Sequence, residues 1–162
     1  MRGPGTTLCV LLLGMLAMVS LIVVGCSIAV DRATTPAVET STSPELVRKA
    51  AEFGGWTLPV NAHVLMVRRE VLRGTIYKMA VQMSPDDFRS MLEESHFAAN
   101  FEQLYVTAAE TTIAGPDLAS SPNVETAQDT SRSPAGSSMH RTVTVDERDA
   151  DTRIAHITFS DV

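Results

Sequence analysis

Cys26 is the one residue whose surroundings name a reaction. It closes the run L-I-V-V-G-C-S over residues 21–27. Its thiolate is a strong nucleophile, and Gly25 before it leaves the backbone open to a peptidase. A reactive sulfur beside an unobstructed peptide bond, between Gly25 and Cys26, is the chemistry these residues offer. Other reactive types are present at spacings that suit less. His63, His96, His140 and His156 include no H-x-x-x-H pair, and the only other cysteine is Cys9, so no metal site is expected. Asp86-Asp87 and Glu93-Glu94 fall on a predicted helix, where the first pair favours the positive dipole end and the second a solvated face. Asp146, Glu147, Asp149 and Asp151 crowd a predicted turn without the D-x-D-x-D-G pattern of a calcium loop. The sequence has no G-x-S-x-G, no S-x-x-K and no phosphate-cradling glycine loop. The expected catalytic, cofactor-binding and metal-binding sets are all empty, and the chain is expected not to be an enzyme.

Two further features invite a site reading. Arg68-Arg69 and Arg73 form the densest basic cluster, suited to an anionic partner or to keeping a strand edge charged. Trp56, the sole tryptophan, stands in W-T-L-P, where it can pack as a core anchor or line a groove.

The elements that must position these residues begin with the leader. Arg2 precedes an uncharged apolar stretch from Leu8 to Val24, the layout of an export signal. Val23-Val24-Gly25-Cys26 resembles the lipobox of bacterial lipoproteins. That resemblance implies an S-diacylglyceryl group on Cys26, loss of residues 1–25, and acylation of the new amino group. Several acyl chains would anchor the protein stably, whereas one alone binds only marginally. The competing expectation is an uncleaved single-pass anchor, since the stretch is near the lower length limit of a membrane span.

Composition sets further bounds. The chain has 162 residues and a net charge of −6, which suits one small domain with flexible parts and argues against nucleic acid as a partner. Both cysteines lie in or at the end of the leader, so the exported part is expected to fold without a disulfide. Residues 26–43 are rich in Ser, Thr, Ala and Pro, the composition of a flexible tether or of a glycosylated stalk.

The domain is expected over 44–162. Ser43-Pro44-Glu45 is a helix-start pattern, followed by an apolar face of Leu46, Val47, Ala50 and Phe53 and a stop at Gly54-Gly55. Ala62 to Val71 and Thr75 to Met83 read as a β-hairpin. Tyr77, Met79, Val81 and Met83 share one face of it, with Lys78 and Gln82 on the other. Ser84-Pro85-Asp86-Asp87 opens a second helix. Residues 107–138 are polar and breaker-rich, and a disordered excursion is expected there. Arg141 to Glu147 and Ile154 to Phe159 form a second hairpin, with Val143 and Val145 sharing a face and His156 on an outer one. The fold class is therefore α+β: an antiparallel sheet of about four strands in two hairpins, with one or two helices on one face, plus the N-terminal signal helix.

The order G-W-T-L-P, hairpin, S-P-D-D-F-R-S-M-L-E-E-S-H-F over roughly residues 45–160 is similar to small uncharacterised lipoproteins of actinobacteria, which imply no transferable activity. The expected role is a non-enzymatic binding or accessory module. It would be held to the extracytoplasmic side of the cell membrane by the acyl chains on Cys26, with the lipid bilayer and an envelope protein as partners. A small-ligand carrier using one sheet face is the alternative, and a hydrolase of envelope material the third.

Overall fold

The computed structural model describes residues 37–106, 112–132 and 136–161. Gly25, Cys26 and the rest of the leader lie outside these residues. Two helix-start signals work as their residue types dictate. In α1, Pro44–Gly54, the Ser43 hydroxyl accepts from the Leu46 N–H at 3.3 Å. Gly55, at φ +59, closes the helix, and the Trp56 N–H donates to the Ala51 carbonyl at 2.8 Å. This is the left-handed exit that glycine adopts without strain. In α2, Pro85–Glu94, the Ser84 hydroxyl accepts from the Asp87 N–H at 3.1 Å and donates to the Asp87 carboxylate at 2.8 Å.

Both hairpins form. β2, His63–Val71, pairs with β3, Thr75–Met83, and β6, Ser138–Asp146, pairs with β7, Arg153–Ser160. β3 and β7 then join antiparallel, from Ile76↔Ser160 to Met83↔Arg153, to make one continuous sheet. Two-residue alternation settles its faces. Tyr77, Met79, Val81, Ile157 and Phe159 pack with Leu46, Ala50 and Met91 of the helices in a single buried cluster. Full burial of a side chain of this size contributes about 2 kcal/mol.

The sheet is larger than the four strands expected. It has seven, in the order β1-β2-β3-β7-β6-β5-β4. Within the expected tether over 26–43, Ala37–Ser41 forms edge strand β1 against β2. Within the excursion expected at about 107–138, Leu118–Ser120 is a 3₁₀ turn and Val124–Arg132 is strand β5, which pairs residue for residue with β6. β4 is the two-residue stub Glu102–Gln103 against β5. These strands carry little apolar signal because they lie at the margins of the sheet. β1 is largely exposed, and β5 buries only Val124 and Ala127. Backbone pairing holds them more than side-chain burial does.

α1 sits close against β7 at one point. A Cβ on Gly54 would lie 2.5 Å from Cδ1 and Cε1 of Phe159, well inside the 3.5–4.0 Å of carbon contact. Only glycine permits this approach.

Candidate functional site

The sheet face opposite the helices is not bare. From the connection between β4 and β5, Leu104, Ile113 and Leu118 lie over strands β3, β7 and β6. Leu118 is buried. Gly115 turns the chain at φ +91, a backbone conformation that favours glycine, while a methyl there would make only ordinary contacts, 3.6 Å from Leu65 and Ile154 and 3.9 Å from the His156 ring. Leu65 falls at the register shift of β2 between Val64 and Met66, a bulge that re-aims a side chain.

A buried ion pair ties the connection down. Asp146 is fully buried and paired with Arg148 at 2.8 Å. It also accepts from the Ser121 hydroxyl. Arg148 reaches on to the Ser120 hydroxyl and the Asp117 carbonyl, each at 3.0 Å. One carboxylate and one guanidinium thus clamp residues 117–121 to the end of β6. Removing one partner of such a pair leaves the other charge desolvated and unpaired, which is costly.

Between connection and sheet lies a cleft of about 290 Å³, room for about ten waters at ~30 Å³ each. Its roof is apolar apart from Thr112, and its floor is mostly polar, with Met79 and Ile157 also contributing. Lys78 from β3, His156 and Thr158 from β7, and Thr142 and Thr144 from β6 line it. The register explains the grouping. Lys78, Thr158 and Thr142 stand opposite one another across three strands, and His156 stands opposite Thr144. His156 is diagonal to Lys78, a separation of about 7–8 Å between neighbouring strands.

His156 is the unusual member. Both ring nitrogens are buried, and neither has a hydrogen-bond partner among the described residues. Burial holds its pKa below the ordinary histidine value, opposed only in part by the charge of Asp146. The ring is therefore neutral at physiological pH, with one N–H donor and one acceptor nitrogen. Leaving such groups unsatisfied costs about 1–3 kcal/mol each.

The remaining candidates from the sequence disperse. His63, His96 and His140 are exposed. Among the described residues no three His, Cys, Asp or Glu side chains gather as a metal site requires. Asp87 is spent on the helix cap, and Asp86 faces Arg89 at 3.1 Å. The acidic turn divides its carboxylates. Asp146 points inward, and Glu147 pairs with Arg153 at 2.9 Å. Asp149 accepts the backbone N–H groups of Asp151 and Thr152, and the Asp151 bond is the main cause holding its pKa below the usual value. The basic cluster is split by strand alternation. Arg68 pairs with Glu70 at 3.0 Å, while Arg69 lies 5.9 Å from the Tyr77 ring centroid.

Trp56 packs as an anchor. It contacts Phe97 and Phe159 at 5.6 and 5.5 Å between centroids. Between Trp56 and Phe97 lies Arg141, 5.4 Å from each ring. This guanidinium is 4% exposed, forks onto the Asp129 carboxylate, and donates to the Ser95 and His96 carbonyls at 2.9 and 3.1 Å. It fastens the end of α2 to the sheet with four of its five N–H donors. Sequence reading had not singled out Arg141 or the pairing of Asp146. The signal for Arg141 was its place in the alternation that buries Met139 and Val143.

A larger depression, about 500 Å³, follows the β5 edge beside Asn100 and Gln128, but none of its lining residues carries a buried, unpartnered polar atom. Comparison with protein-family models, curated proteins and solved structures gives no significant match.

Proposed function

We propose that this protein is a lipid-anchored lipoprotein of the extracytoplasmic membrane face that holds a small ligand in the cleft beneath Leu104 and residues 112–118. The anchor half of the reading rests on V-V-G-C at residues 23–26. The ligand half rests on one observation: His156, in the lining of the cleft, has two buried ring nitrogens without a partner among the described residues. Small-ligand sites combine an apolar lining with a few polar groups aimed inward, and this cleft has that make-up at the small end of the usual size range. The geometry thus favours the carrier over a module that binds a protein partner by an exposed apolar patch.

The test is a thermal-shift screen of small polar metabolites on the full chain in detergent, run beside His156→Leu. A ligand at 100 times its Kd stabilises by about 2.7 kcal/mol. Compounds should stabilise the wild type and leave the variant unmoved. A screen in which every compound treats the two alike refutes the reading.

A further inference from the structure

Among the described residues, the charge that lines the cleft has a sign. At the β7–β6 end, Asp146 is matched by Arg148. At the β3–β2 end, Lys78 and Arg68 share one acid, Glu70, at 3.5 and 3.0 Å. The Lys78 contact is longer than the 2.7–2.9 Å of a tight charged hydrogen bond. An ammonium also carries three donors, so Lys78 keeps donors for another acceptor. Among the described residues that line the cleft, Lys78 is the one with a full charge, in a chain whose net charge is −6. The rest of the polar floor is of another kind. Thr142, Thr144 and Thr158 offer hydroxyls that both donate and accept, and the neutral His156 ring does each once. That set matches hydroxyl groups on a ligand. A cationic ligand would meet Lys78 unfavourably.

We infer that the cleft selects a small hydroxylated organic anion, its acid group at Lys78 and its hydroxyls over Thr158, Thr142 and His156. The inference rests on the reading of the cleft as a ligand site and adds the chemical class. Both ring nitrogens of His156 are closed to solvent as the ring stands, so the ligand's hydroxyls would satisfy them once the ring turns toward the cleft. Its acid group would take the donors that Glu70 leaves. Glu70 also sets a limit: it repels an anion placed too far toward β2.

The test reads the His156 ring directly. The full chain with ¹³C-histidine, in non-ionic detergent, is titrated with glucuronate, citrate or inorganic phosphate, and with glucose as the neutral counterpart of glucuronate. The His156 Cε1–H signal is assigned by its loss in His156→Leu. Glucuronate should move that signal saturably, while the signals of exposed His63, His96 and His140 stay in place. Glucose should need at least tenfold more. Lys78→Gln should bring glucuronate down to the level of glucose. If glucose matches glucuronate, or Lys78→Gln changes nothing, the anion inference falls and the ligand cleft stands. If all four histidine signals move together, the anions bind without a site and the inference falls. If no probe moves His156, the inference and the ligand reading fall together.

Discussion

Gly54→Ala should destabilise this domain, although alanine normally strengthens a helix. Replacing a helical glycine gains up to about 1 kcal/mol of propensity. Here the new methyl would sit 2.5 Å from two carbons of the Phe159 ring and 2.6 Å from a third. That is about 1 Å inside normal contact. The ring has no room to retreat, because Phe159 is fully buried between α1 and Trp56. Overpacking of this kind costs about 1–3 kcal/mol and sometimes more. With three ring carbons at 2.5–2.6 Å the cost falls in the upper part of that range, about 2–3 kcal/mol, and with the propensity gain set against it the net loss is about 1–2 kcal/mol. Urea unfolding followed by Trp56 fluorescence is the assay, since the sole tryptophan sits in this cluster. At an m-value near 2 kcal/mol/M, the midpoint should fall by about 0.5–1 M. In a Phe159→Leu background the same substitution should cost little or become favourable, because the smaller side chain can yield. An unchanged or raised midpoint for Gly54→Ala in the wild-type background would refute the close approach of α1 to β7.

Arg141→Met should cost about 3 kcal/mol or more in the same urea assay, because it leaves Asp129 and two carbonyls without their shared donor. Arg141→Lys should recover only part of this, as an ammonium cannot reproduce the fork. Ser121→Ala should loosen residues 117–121 at a cost of about 1–2 kcal/mol, seen as faster amide hydrogen exchange there with β3 and β7 unaffected. Acidification should expose the burial of His156. Its folded-state pKa is depressed by desolvation, so the unfolded chain binds the proton more readily. Stability is complete above the unfolded value near 6.5 and declines as pH falls from there to the lower folded-state pKa, by at most about 1.4 kcal/mol per pH unit. His156→Leu should flatten that slope between pH 7.5 and 5.5, and an equal slope in both proteins would count against the burial. Cys26→Ala should abolish incorporation of an alkyne fatty acid, and equal labelling of both proteins would remove Cys26 as the acylated residue.

Much of the helix-covered half of this fold was legible before its coordinates. Ser43-Pro44 and Ser84-Pro85 carry their own capping chemistry, and the alternation of Thr75 to Met83 announces a strand with one wet side. Those signals are local, so one stretch of sequence suffices. The margins were less legible. Val124–Arg132 reads as polar because one flank meets a two-residue stub and most of its side chains face water, so its strand character resides in backbone pairing with β6. The cleft was least legible. His156 was placed on an outer face, and it does lie opposite the helices. Its burial comes from residues 113–118, more than thirty positions away. That crossing depends on the left-handed Gly115 and on the Asp146–Arg148 clamp, and neither has a periodic signature. Arg141 was hidden for a related reason. A charged residue within an apolar alternation reads as a break until its partners arrive from β5 and the end of α2.

The central claim is a lipid-anchored carrier, and the native mass of the protein extracted gently from membranes tests it most directly. The account predicts a chain that lacks residues 1–25, carries acyl chains on Cys26, and retains a small-molecule adduct that His156→Leu loses. A chain that keeps its leader, bears no acyl mass and shows the same bare mass in both proteins would contradict it.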